Sequence, residues 1–198
     1  MFSKYEVYTT VQSVYCYPDT KVLKNKLNIR DNTVLKTAEE EITLIKQMEL
    51  LKNPLKGNFT KSHLMNIHKF IFEDIYQFAG KIRRERISKA DTMFYPPELI
   101  DRELDKLFTK MKEEKMLREV SEEKLFDNMA YVMAELNIIH PFREGNGRTI
   151  REFIRLIAKH RGYNLNWGNV DKELLLKASI ESVDDYKTLV KVLKLCVE

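Results

Sequence analysis

Turn-forming residues are scarce in this sequence. Six glycines and five prolines among 198 residues are too few for β-sandwiches or barrels, which spend such residues at every strand end, and they exclude collagen-like and low-complexity chains. Cysteine is scarcer: Cys16 and Cys196 stand near opposite ends, without the paired spacing of a zinc site. A bridge between them is one reading. Two reduced thiols, and with them a cytoplasmic setting, is the favoured one. No stretch approaches the ~18 apolar residues of a membrane span. The opening MFSKYEVYTT has neither the apolar core nor the small-residue cleavage site of a secretory leader, so no membrane partner is expected. A large excess of one charge is also missing. Lys and Arg number 34 against 30 Asp and Glu, a net +4, which suits an acidic or phosphate-bearing partner without demanding nucleic acid. What is present is a globular composition, 43% hydrophobic and 32% charged, at a length that fits one domain.

Apolar residues recur at helical spacing over most of the chain. A first helix is expected, capped near Asn32 or Thr33 and ended by Asn53, Pro54 and Gly57, with Leu35, Ala38, Ile42, Ile45 and Met48 as its inner stripe. Thr60 caps a second, which carries Leu64, Ile67, Ile71, Ile75 and Phe78 and closes at Gly80. Its histidines, His63 and His68, are five apart, share no face, and read as ordinary helix residues. The segment KIRRERISKADTMFY, 81–95, loses the 3.6 period and predicts a short hairpin or ordered loop. Its Lys81, Arg83, Arg84 and Arg86 form a candidate basic patch, but without aromatic platforms nucleic acid is an unlikely partner. Pro96 and Pro97 open a helix over Leu99, Ile100, Leu104, Leu107 and Met111. Ser121 caps another, with Phe126, Met129, Met133, Leu136 and Ile139 inside, stopped by Pro141. A further helix begins near Arg148 and ends at Gly162, and one or two short helices close the chain. The expectation is an all-α bundle with one short β excursion, divided into an extension (1–31), a core (32–162) and C-terminal helices (163–198).

Chemistry concentrates at 140–151, HPFREGNGRTIR. Gly145 and Gly147 flank Asn146 between two helices, where positive φ would turn successive N–H groups into an anion nest opening on a helix N-terminus. Arg148 and Arg151, three apart in the first turn of that helix, sit where the dipole disfavours cations. Two guanidiniums there suit a bound polyphosphate. Glu144 is the loop's carboxylate and a natural Mg²⁺ ligand beside phosphates. His140 supplies a side chain whose ordinary pKa of ~6.5 suits proton removal near neutrality.

That stretch resembles the signature of Fic-domain proteins, His-x-Phe-x-(Asp/Glu)-Gly-Asn-Gly-Arg-x-x-Arg, at every defined position. YCYPDTKVLKNKLNI, IHKFIFEDIYQFAGKIR and KASIES are similar, in the same order, to segments of bacterial Fic toxins regulated by antitoxins. The resemblance implies a Fic-fold helical bundle with a β-hairpin flap, and transfer of AMP from ATP to a Ser, Thr or Tyr hydroxyl of a target protein. It implies that His140 deprotonates that hydroxyl, Phe142 anchors the loop, and Glu144 holds Mg²⁺. Gly145, Asn146 and Gly147 would cradle the α- and β-phosphates, Arg148 would meet the β-phosphate and Arg151 the γ-phosphate. The flap, Ser88, Lys89, Ala90, Asp91 and Phe94, would dock an extended target segment by main-chain hydrogen bonds.

Such enzymes are typically restrained by a helix bearing (Ser/Thr)-x-x-x-Glu-(Gly/Asn), whose glutamate would here meet Arg151. Only Thr37–Glu41 and Thr109–Glu113 fit its first half, and Ile42 and Glu114 follow them. The expectation is inhibition in trans by a small antitoxin. A C-terminal inhibitory helix beyond Glu198, or Glu41 acting despite its neighbour, are the alternatives. Transfer of phosphocholine or phosphate within the same family, and a non-catalytic binding module, are the rival functions. The setting is cytoplasmic, with delivery into a host cell as a variant.

Overall fold

The computed structural model of the chain describes residues 13–89, 92–117 and 120–198. Among them seven α-helices carry the fold: α1 (Asn32–Lys52), α2 (Lys61–Phe72), α3 (Pro97–Glu113), α4 (Glu122–Ile139), α5 (Asn146–His160), α6 (Lys172–Glu181) and α7 (Lys187–Leu195). Strand is confined to β1 (Ser88–Lys89) and β2 (Thr92–Met93), paired antiparallel with Ser88 opposite Met93. The mostly helical expectation holds; where the helical period lapses the described residues show only this two-residue pairing, short of the full β-hairpin flap that the resemblance implies. Nothing among the described residues widens it into a larger sheet, and the flap residues Ala90 and Asp91, between the two strands in sequence, lie outside them.

The helix starts follow local chemistry. Thr60 Oγ1 accepts from the His63 N–H, Ser121 Oγ from the Lys124 N–H, and Pro97 occupies the first turn of α3. On α1 the cap is Asp31, one residue before the earlier of the two expected caps. Its Oδ1 accepts from the N–H groups of Thr33 and Val34 at 2.8 and 2.9 Å, and a carboxylate there also meets the positive end of the dipole. Helix α2 stops at Phe72, short of Gly80. The next turns fold back because Gly80, at φ 73°, donates its N–H to His68 Nδ1. Ile75 and Phe78 are still buried, from the turn rather than the helix.

Helix α4 lies centrally, packed against α3, α5 and α7, while α2 packs on α5, α1 and α3. The loop from α4 to α5 is thereby walled by α2. The inner face of α1 departs from the expected stripe. Leu35, Glu39, Thr43 and Leu50 are buried, whereas Ile45 and Met48 are 59% and 51% exposed. The helix turns polar side chains inward because an arginine of α5 meets them there. Both cysteines are buried and unbridged, and burial pushes the Cys196 thiol up to about 11.

Candidate active site

His140 ends α4 in the left-handed region, φ 49°, a conformation that a non-glycine residue adopts at a cost of about 1–3 kcal/mol and that surrounding contacts must enforce. Its Nδ1 lies 3.1 Å from the Asn137 carbonyl. A carbonyl only accepts, so Nδ1 carries the proton, and in the neutral ring Nε2 is the acceptor. The Phe94 ring, leaving β2, stacks on the imidazole at 3.7 Å and 12°. The sequence placed Phe94 in the target-docking flap; the structure puts its ring on His140.

The loop after His140 is held from inside. Phe142 is fully buried, its ring 3.8 Å from that of His68. Asn146 clamps the Phe142 backbone: Oδ1 accepts its N–H at 2.9 Å and Nδ2 donates to its carbonyl at 2.8 Å. The asparagine side chain therefore shapes the loop, and what remains open to an anion is the helix N-terminus, whose first N–H groups have no intrahelical acceptor. That helix starts at Asn146, so Arg148 falls in its first turn and Arg151 in its second. The glycines also divide their work. Gly145 has φ 79°, and a Cβ on it would come within 2.0 Å of the Phe72 ring. Gly147 is ordinary helix, and a Cβ there would crowd Arg151 Nη1 at 3.2 Å.

His68, expected to be an ordinary helix histidine, is completely buried under this loop. Its Nε2 donates to the Glu144 carbonyl at 2.9 Å while Nδ1 accepts from Gly80 at 2.7 Å, with Phe72 and Phe142 on its faces. Burial holds its pKa down at about 3. The sign follows: the unfolded ring takes a proton near 6.5 while the folded ring does not, so stability is full above 6.5 and is lost as pH falls. Between pH 6.5 and 5 the expected loss is about 1.5–2 kcal/mol, read from urea midpoints. The slope should flatten in His68→Gln, leaving the smaller same-signed contribution of His63, whose pKa burial also lowers. An equal slope in both proteins would refute the assignment.

The two motif arginines have opposite circumstances. Arg148 is turned toward α1: Nη1 donates to Thr43 Oγ1 at 2.8 Å, and Nη2 to Glu39 Oε1 at 2.5 Å and Glu144 Oε1 at 3.3 Å. Glu39 also accepts from the Tyr76 hydroxyl. Arg151 has no ion pair among the described residues, and burial, helped by Arg148, lowers its pKa to about 10. It is a cation with no carboxylate against it among the described residues, in the second turn of α5. Glu144 Oε1 accepts from the Gly145 N–H at 2.9 Å. Among the described residues no group of three or more His, Cys, Asp or Glu could hold a metal alone. A lone partly buried carboxylate fits a Mg²⁺ that brings phosphate oxygens with it. Glu41 and Glu113, the near-matches to an inhibitory glutamate, are exposed on α1 and α3.

Sequence reasoning missed Glu39, Thr43, Tyr76, His68 and Arg83. One signal was present: Glu39 and Thr43 sit four apart on the face shared by Leu35 and Leu50, a polar pair inside an apolar stripe.

A model of the Fic/DOC family matches residues 58–158, spanning α2 through most of α5. The chain belongs to the Fic/DOC family. The protein adenylyltransferase VbhT of Bartonella schoenbuchensis is 37% identical over 168 residues, which cover 85% of this chain and 35% of that one. The chain thus spans about a third of VbhT. The probable protein adenylyltransferase y4lH of Sinorhizobium fredii is 34% identical over 88% of this chain and 90% of its own length. Among solved structures, the N-terminal Fic domain of a VirB-translocated Bep effector from Bartonella quintana, with bound ADP, superposes with TM-score 0.84 at 26% identity. The match covers 93% of this chain and 94% of that one. The Fic motif of this chain is therefore the segment 140–151, and no helix among the described residues is long and apolar enough to cross a membrane.

Proposed function

We propose that this Fic protein is a protein adenylyltransferase, moving AMP from ATP to a Ser, Thr or Tyr hydroxyl of a target protein. The observation that carries the reading is Arg151, a half-buried cation without a carboxylate partner among the described residues, near the N-terminus of α5, on the same motif as an imidazole oriented by its neighbours. The adenylyltransferase names of the relatives and the ADP bound by the Bep effector domain support it.

In this reading the first N–H groups of α5 and the glycines receive the α- and β-phosphates, and Arg151 receives the γ-phosphate. Arg148 lends its charge from its clasp on α1. Glu144 would hold Mg²⁺, which when bound neutralises charge on the phosphates. An extended segment of the target adds to the hairpin by main-chain hydrogen bonds, over Ser88, Lys89, Ala90 and Asp91. His140 Nε2 takes the proton of the target hydroxyl as its oxygen bonds to the α-phosphorus. The bond to the bridging oxygen breaks and pyrophosphate leaves. Positioning and fixed charge carry most of the acceleration.

Inhibition in trans belongs to the same reading. Arg151 lacks a carboxylate that a small antitoxin could supply, and neither Glu41 nor Glu113 supplies it here. The whole of 1–198 serves as one catalytic domain, closed by α6 and α7, acting in the cytoplasm or, like the Bep relative, after delivery to a host cell.

The test incubates the chain with a bacterial lysate and ATP labelled at the α- or the γ-phosphorus. Transfer of the α label alone, with an AMP adduct by mass spectrometry, is the expected result. A phosphate or phosphocholine adduct would overturn it.

A further inference from the structure

The sequence places Arg83 in a candidate basic patch, yet the residue is 1% exposed. Its Nε donates to the His140 carbonyl at 2.8 Å, Nη1 to that of Glu85 at 2.6 Å, and Nη2 to those of Tyr95 at 2.5 Å and Ile139 at 3.4 Å. Its own N–H donates to Pro141 at 2.9 Å, and Tyr95 returns a bond to Ile138. Among the described residues no carboxylate pairs with it. Its counter-charge is the negative end of α4, whose last carbonyls it caps.

We infer that Arg83 and Phe94 form a bracket that positions His140 against the strand leaving the hairpin. The inference rests on the reading of His140 as the base. The bracket has three sides. Arg83 pins the carbonyls on either side of the left-handed His140 backbone. It holds Tyr95 at the hairpin exit with the same guanidinium. Phe94, one residue earlier, covers the imidazole face. Acceptor segment and base then share one support, so a target strand laid on the hairpin arrives at a fixed height relative to Nε2. The fork explains the residue type. Four carbonyls in different directions need several fixed donors, which a lysine ammonium at a single point does not provide. Burial lowers the Arg83 pKa to about 10, so the bracket stays cationic at neutrality.

The test follows the His140 imidazole in the full chain by NMR. In the wild type the stacked Phe94 ring shifts the His140 ring protons upfield, and the ¹⁵N shifts report the Nδ1–H tautomer. Arg83→Lys and Phe94→Leu should each abolish both signatures. Each should also lower the initial rate of AMP labelling in lysate by about tenfold or more, while the Kd for ATP stays within about twofold. Unchanged His140 signatures in either folded variant overturn the inference, whatever the labelling does. Phe94 is half-buried at the hairpin exit, so its variant decides the matter if Arg83→Lys does not fold. If the wild-type chain labels nothing, the proposed function fails, and the imidazole signatures still decide the positioning role.

Discussion

Replacing His140 by alanine should cut AMP transfer by about 10²–10⁴-fold, the usual contribution of a positioned general base. The fold and ATP binding should survive, because the residues that shape the loop after His140 are elsewhere. Asn146 clamps Phe142, His68 holds the Glu144 carbonyl, and Phe142 fills the core. A second variant separates base from backbone. His140 sits at φ 49°, a region that asparagine tolerates better than alanine. His140→Asn should thus keep the turn while losing the base, and should be as inactive as His140→Ala. Initial labelling rates, set beside an ATP titration by calorimetry, check both. Transfer that persists in His140→Asn with an intact fold would remove His140 as the base.

Glu39→Ala should destabilise the protein by about 3–5 kcal/mol, the range for removing one partner of a buried ion pair. Glu39 is 1% exposed and its neighbours assume a carboxylate: Arg148 Nη2 at 2.5 Å and the Tyr76 hydroxyl both donate to it. Its removal leaves a buried guanidinium with Thr43 and the longer contact to Glu144. At roughly 2–4 °C per kcal/mol for a chain of this size, calorimetry should show a fall of about 6–20 °C. The double variant Glu39→Met with Arg148→Met should recover much of it, since packed apolar side chains often replace a buried pair at little cost. A small effect of Glu39→Ala, or additive losses in the double variant, would show that the clasp carries little of the fold. The clasp also joins α1 to the first turn of α5, the element that receives the phosphates in the proposed reaction.

How much of this was legible in sequence varied with the range of the interaction. Caps at Thr60 and Ser121 and the proline start of α3 depend on neighbours a few residues away, and local chemistry finds them. The extent of α2 was misjudged because Gly80 is recruited by His68, twelve residues back. The face of α1 was misjudged because its partner is more than a hundred residues distant: Glu39 and Arg148 are separated by 109 positions. Arg83 looked like surface charge because nothing near it in sequence shows that it will meet the carbonyl end of α4.

The sequence by itself determined a helical fold, a β excursion at 81–95, and a Fic motif at 140–151, since composition, periodicity and contiguous spacing are local properties of a chain. Only the tertiary structure decided the division of labour within that motif. Two arginines three residues apart are equivalent by spacing. Side chains of α1 bring a buried carboxylate to Arg148 and none to Arg151, so in a low-dielectric interior one cation of the pair is already neutralised and the other is not.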